Sequence, residues 1–264
     1  MTIRKVALVT GAARGMGAAT VAALAADQWH VVAIDRCRDD PALAYPMGTR
    51  EELDAAVEAA GGSDRVVAVE ADVRDAAALQ KIVADATTRW GGVDVAVAAA
   101  GVIAGGVPGW ELDPASERAV LEVNLGGVMA LARAAVPAML ARTAPRAGRF
   151  IAIASAAATR GLPMLAAYSA AKAGVVGFVE ALALELRGSG VTANAVNPGS
   201  TSTPILDESA RLYGLEGRES FARQQPIERL ISPDEIAAAV LFLVGPTGSA
   251  ITGSALAIDG GLVL

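Results

Sequence analysis

The chain has 264 residues, 53% of them hydrophobic and only 4% aromatic, with a formal net charge of −6. That length and apolar content suffice for one large α/β domain with a sizeable core. The acidic balance argues against nucleic acid, whose phosphates need a basic surface, and a single cysteine, Cys37, excludes an internal disulfide or a cysteine-based metal cluster, so no metal site is expected.

Strand patterns fall at 5–10 (KVALVT), 30–34, 65–71, 93–99, 149–155, 191–196 and 254–259. They are short, β-branched and apolar on both faces, as parallel strands covered on each side require. Helical patterns lie between them, near 16–28, 50–60, 76–90, 115–141, 165–187 and 233–244. The alternation predicts an α/β protein with one domain over 1–264: a Rossmann fold built on a doubly wound, seven-stranded parallel sheet with helices on both faces. No run is read as a membrane span, and the first strand begins too early to leave space for a signal peptide, so a cytoplasmic protein is expected. The stretch 199–232 lacks clear periodicity and reads as an irregular lid.

The first strand runs through glycines into a helix, "VALVTGAARGMGAAT". Gly11, Gly15 and Gly17, with Arg14 and Met16 between them, follow the spacing TGxxxGxG. It lets backbone approach a pyrophosphate at a helix N-terminus. The second strand ends in Asp35, whose carboxylate suits the adenosine ribose hydroxyls and repels a 2′-phosphate, so NAD is expected rather than NADP. Arg14 and Arg36 are the counterargument, since either guanidinium could hold that phosphate. In "EADVRD" (70–75), Asp72 and Val73 are placed beside the adenine and Asp75 is read as a helix cap.

In "AAYSAAKAG" (166–174), Tyr168 and Lys172 share one helical face. An ammonium about 5 Å from a phenol oxygen is worth roughly 3 kcal/mol at an effective dielectric near 20, about two pKa units. The phenol is therefore expected to move towards neutrality, where an acid/base catalyst works best.

With Asn124 in "LEVNLGG", Ser155, the YxxxK at 168–172 and "NPGSTST" at 197–203, the order of motifs along nearly the whole chain resembles the short-chain dehydrogenases/reductases. The resemblance implies hydride exchange with a nicotinamide cofactor. Tyr168 would move the hydroxyl proton, Ser155 would hold the substrate oxygen, and Lys172 would bind the nicotinamide ribose. Asn124 would hold a water linking Lys172 to solvent. Pro198, Gly199, Thr201 and Thr203 would secure the carboxamide, with Ala100 and Gly101 nearby.

Two stretches depart from that pattern. "AAAG" (98–101) has Ala99 where the family usually has Asn, so a modest local rearrangement is expected. The connection after Asp35 is long, and Thr49 with Glu52 marks a capping box at its end. Its "RDDPALAYPMGT" portion, an insertion at about 37–49, is similar to that of mycofactocin-linked members, which include carveol dehydrogenases. There it folds over the adenine end, NAD is held without exchange, and mycofactocin is the external electron acceptor.

The loops beyond the strand ends are largely apolar and suit a lipophilic secondary alcohol or ketone, with Trp110, Met164 and Tyr213 as candidate lining residues. Arg160, Arg211, Arg218 and Arg223 leave an anionic substrate open. An NADPH-dependent ketoacyl-type reductase and a catalytically silent nucleotide-binding subunit are the alternatives. The resemblance also implies a homotetramer.

Overall fold

The computed structural model describes residues 5–62 and 65–264. Its strands are β1 (Val6–Thr10), β2 (His30–Asp35), β3 (Val66–Glu70), β4 (Val95–Ala98), β5 (Arg149–Ile153), β6 (Thr192–Pro198) and β7 (Ala255–Ile258). They form one sheet in the order β3-β2-β1-β4-β5-β6-β7, and every neighbouring pair is parallel. All seven predicted strands are present, mostly shortened at their ends.

Among the described residues, eight α-helices accompany them: α1 (Gly15–Ala26), α2 (Arg50–Ala59), α3 (Ala76–Trp90), α4 (Pro114–Leu121), α5 (Gly127–Leu140), α6 (Ala166–Glu185), α7 (Pro204–Leu212) and α8 (Pro233–Val244). Successive strand residues serve opposite layers. Ala7 and Val9 pack with Leu24 of α1, Leu53 of α2 and Ile236 of α8. Val6 and Leu8 pack with Leu79 of α3, Leu131 of α5 and Val175 of α6. Each fully buried Val or Leu contributes about 1.5–3 kcal/mol, which holds both helical layers on the sheet.

Local signals end the helices as expected. Thr49 and Glu52 form the capping box of α2, and the Asp75 carboxylate accepts from Ala78 N to cap α3. His30 stacks near Trp90 at 5.0 Å between ring centroids, far from the carboxyl ends of the strands, which suits a structural histidine.

Three expectations need correction. The predicted helix 115–141 is interrupted by a π turn at Glu122–Gly126, which separates α4 from α5 and has Asn124 at its centre. Such widened turns accommodate one extra residue and recur at functional sites. The stretch 199–232 is not irregular: it contains α7 and a 3-10 segment at Arg218–Gln224. Third, Pro114–Leu140 and Ala166–Glu185 are long and apolar enough, by length and composition alone, to cross a membrane. Glu117, Arg118, Glu122, Arg133, Lys172 and Glu180 interrupt these runs along the chain, and their apolar residues cover one face of the sheet.

The strand order reverses between β1 and β4, and the connections leaving those strands diverge there. A crevice opens at that point beyond the carboxyl ends of the sheet.

Candidate active site

At the β1 end of the crevice the glycines are sterically required. Gly11 has φ +68°, and a Cβ on it would lie 2.7 Å from the Ala100 backbone; one on Gly17 would lie 2.0 Å from the Gly11 carbonyl oxygen. The N-terminus of α1 carries no side-chain cap, so its first amides remain free for an anion. Gly11, Arg14, Gly15, Met16 and Gly17 all line this part of the cleft, as do Asp35, Arg36, Asp72, Val73, Ala100 and Gly101. At position 99, where Asn is absent, the Thr10 hydroxyl accepts from both Ala99 N and Ala100 N at 3.2 Å and ties β1 to β4.

Asp35 accepts from Ala13 N at 3.0 Å and still faces the cleft. The two arginines that favoured NADP line the cleft but already have partners. Arg14 donates to Pro46 O at 2.8 Å. Arg36 pairs with Asp40 at 2.5 Å and approaches Asp72 at 3.5 Å. Arg74 closes the ring, 3.0 Å from Asp40 and 2.7 Å from Asp72. Burial raises the pKa of Asp72, but its hydrogen bonds with Arg74 outweigh burial and hold it below the usual carboxylate range; Asp40 behaves alike, with Ala42 N, Arg36 and Arg74 opposing its burial. Asp72 thus lines the cleft while its carboxylate serves an ion network.

That network anchors the 37–49 insertion as a strap. Leu43, Tyr45 and Met47 pack with Val73, Val102 and Val123, and the Tyr45 hydroxyl accepts from Ile103 N at 3.0 Å. Ser116 Oγ donates to Ala42 O at 2.7 Å. The strap therefore reaches beyond the adenine end to the loop after β4. Asp40, Arg74 and the Tyr45–Ile103 contact were not identified as site features from the sequence. No local motif marks the first two, although Tyr45 stands in the "YPM" stretch that singled out the insertion.

At the other end of the cleft, Ser155 follows β5, its Oγ accepts from Ala157 N at 3.1 Å, and its side chain is near enough to the Tyr168 phenol to lower that group's pKa against the effect of burial. Lys172 Nζ lies 5.7 Å from the Tyr168 ring centroid and donates to Ile153 O at 2.8 Å. Ser155, Tyr168 and Lys172 line one cavity of about 440 Å³ with Pro198, Gly199, Thr201 and Thr203. Met16, Gly101, Thr203 and Ile205 border both this cavity and the nucleotide cleft, which are therefore continuous.

The electrostatics of the pair differ from expectation. Burial pushes the Tyr168 phenol up, with the Ser155 hydrogen bond opposing it, and burial lowers Lys172 to about 8. Desolvation penalises phenolate and ammonium alike, so in the chain by itself it outweighs their mutual attraction.

Asn124 is fully buried and lines neither cavity. Its Oδ1 accepts from Val102 N and its Nδ2 donates to Val102 O, both at 2.8 Å. The carboxamide is thus occupied in holding the loop after β4. A Cβ on Gly101 would lie 3.2 Å from Asn124 Oδ1 and 3.6 Å from Lys172 Nζ, so glycine keeps that junction open. Gln225, also missed from the sequence, is 1% exposed and fixes the loop after β6 by accepting from Ser200 N at 2.8 Å.

The apolar part of the cavity is lined by Ile103, Leu162, Leu165, Ile205, Leu206 and Tyr213, whose hydroxyl donates to Pro163 O. Trp110 and Met164 lie outside the lining, and Trp110 is 86% exposed, because the loop after β4 turns it outward. Arg160 borders the cavity but donates to Leu262 O at 2.5 Å, while Arg211 and Arg218 pair with Glu208 and Asp207.

A seven-stranded parallel sheet with this cleft and this Ser-Tyr-Lys grouping defines an oxidoreductase class. The family profile described as enoyl-(acyl carrier protein) reductase matches residues 11–263. The chain is 34% identical to (−)-trans-carveol dehydrogenase of Rhodococcus erythropolis, over 98% of each protein. The structure of carveol dehydrogenase from Mycobacterium avium in complex with NAD superposes with a TM-score of 0.91 at 33% identity, covering 99% of this chain and 98% of that one. Actinorhodin polyketide ketoreductase with NADPH gives 0.84 at 35% identity, covering 98% and 97%. The chain belongs to the short-chain dehydrogenase/reductase family.

Proposed function

We propose that the protein is an NAD-dependent dehydrogenase/ketone reductase for a neutral, lipophilic secondary alcohol or its ketone. The observation that carries this reading is the placement of Ser155, Tyr168 and Lys172 on an apolar cavity continuous with a nucleotide cleft. The cofactor fits the residues present. The uncapped start of α1 and the glycine loop would hold the pyrophosphate, Asp35 the adenosine ribose, and Asp72 with Val73 the adenine side. Ala100 and Gly101 would border the nicotinamide half, where Tyr168 and Lys172 would hold the ribose. Pro198, Gly199, Thr201 and Thr203 would hold the carboxamide. When bound, NAD⁺ supplies a carbon that accepts hydride and a positive ring beside the phenol.

In oxidation the Tyr168 phenolate, stabilised against its burial by the positive charge that would stand beside it, takes the alcohol proton while Ser155 positions the oxygen; in reduction the neutral phenol donates a proton to the forming alcohol. Lys172 stands behind the phenol, and its low pKa suits it to pass a proton onward. With the Asn124 carboxamide occupied, a water link from Lys172 to solvent would run along the backbone of the π turn. The engagement of Arg14 and Arg36 disfavours the NADPH-dependent ketoacyl alternative, and the grouped triad disfavours a catalytically silent subunit.

The carveol dehydrogenase relatives and the strap favour a terpenoid-like alcohol and tightly held NAD, reoxidised by mycofactocin rather than exchanged. We also propose a cytoplasmic homotetramer, and the exposed Phe242 of α8 offers apolar surface for contact between copies. Denaturing the purified protein is expected to release nicotinamide dinucleotide. Protein that purifies empty and exchanges added NAD within seconds would remove the trapping component while leaving the dehydrogenase reading. Tyr168→Phe is expected to abolish turnover with fold and bound nucleotide intact; full turnover in that variant overturns the mechanism.

A further inference from the structure

The N-terminal ends of β5 and β6 and the last turn of α6 border a second cavity of about 550 Å³, at the end of the sheet opposite the cleft. Arg146, Arg149 and Arg187 line it with Thr192, Ser249 and Thr252, and no Asp or Glu does. Among the described residues, none of these three arginines belongs to an ion pair. Asp94, at the neighbouring strand start, is already held by Arg142 at 2.8 Å.

Arg149 is 4% exposed and Thr192 8%. Arg149 Nη1 donates to Gly148 O at 2.8 Å, whereas its Nε and the Thr192 hydroxyl have no hydrogen-bond partner. A guanidinium cannot shed its proton as Lys172 can, so a buried one demands a counter-charge. The carboxyl end of α6 offers a partial negative charge of only about half an electron. Arg146 Nε is spent on Leu140 O at 2.8 Å, which leaves the guanidinium groups of Arg149 and Arg187 on the cavity without a carboxylate, in a chain whose net charge is −6.

We propose that this cavity binds a phosphate-bearing small molecule, held by Arg149, Arg187 and the Thr192 hydroxyl, at a site separate from the cofactor cleft. The planar fork of arginine matches tetrahedral oxyanions through paired N–H···O bonds. The recess opens to solvent, so a phosphate held there can be the anchor of a larger ligand.

The test is calorimetric titration of the NAD-saturated protein with inorganic phosphate, at constant ionic strength against a chloride control. Saturating NAD removes the pyrophosphate site as a competitor. One saturable phosphate per chain is expected, weakened at least fivefold by Arg187→Ala and at least tenfold by Arg149→Met. Arg187 is exposed, so its variant carries the test even where loss of Arg149 disturbs folding. Phosphate heats no larger than those of chloride, or equal affinities in wild type and Arg187→Ala, overturn the proposal. So does a wild type that ignores phosphate while Arg149→Met sediments as a lighter species, since an acidic group of a second copy would then supply the counter-charge.

Discussion

The two ends of the main cleft treat their polar side chains in opposite ways. At the nucleotide end, Arg36, Asp40, Asp72 and Arg74 neutralise one another, and Arg14 is tied to the strap. At the catalytic end, Lys172 is 4% exposed with one hydrogen bond from an amine that has three protons to donate, and Tyr168 has Ser155 beside it. The first arrangement lowers the energy of one geometry and holds it. The second leaves buried ionisable groups under-partnered, a destabilising state that marks sites where protons move.

The sharpest way to break that contrast is Tyr168→Phe, expected to cost 10²–10⁴-fold or more in turnover, of the order assigned to a positioned acid/base. Steady-state kinetics with a panel of alicyclic alcohols measures it, with the nucleotide content of the same preparation as the control.

The next effect concerns stability. The Lys172 proton is held to 10.5 in the unfolded chain but only to about 8 in the folded one. Between those pH values the unfolded state binds more protons, so this group makes stability rise with pH, by something on the order of 3 kcal/mol. Lys172→Met is accordingly expected to be more stable than wild type at pH 7, and the gain should shrink towards pH 10. Urea denaturation at both pH values tests this; a pH-independent difference between the two proteins contradicts the assignment.

A smaller loss is expected from Asp40→Asn, which leaves Arg36 and Arg74 short of a carboxylate at a cost of roughly 1–3 kcal/mol. It should accelerate nucleotide release about tenfold and narrow the preference for NAD over NADP, because Arg36 is freed. Stopped-flow displacement by each nucleotide provides both readings. Tyr45→Phe removes one hydrogen bond to Ile103 N and should accelerate release by only about fivefold, near 1 kcal/mol. If the two strap variants release nucleotide at the wild-type rate, the ionic end of the cleft does not act as a clasp.

Legibility followed the range of the interactions. TGxxxGxG, Asp35 at a strand end, the Thr49–Glu52 capping box and YxxxK each depend on spacings of a few residues, which backbone geometry converts directly into a shared face or turn. The Asp40–Arg74 pair spans 34 positions and Tyr45–Ile103 spans 58, so neither pairing can be read from local spacing. The exposed Trp110 and the helical lid were misjudged for a related reason. Composition marks them as apolar or irregular, but only packing decides which way a loop turns.

The amino-acid order alone determined the doubly wound sheet, the glycine turn between β1 and α1 and the pairing of phenol with amine, because periodicity and short spacing act through the backbone. Tertiary structure decided which arginines are free, how far the strap reaches, and that burial pushes Tyr168 and Lys172 towards their neutral forms. Those outcomes depend on desolvation and on charges brought together from distant segments, quantities that exist only once the chain has closed around them.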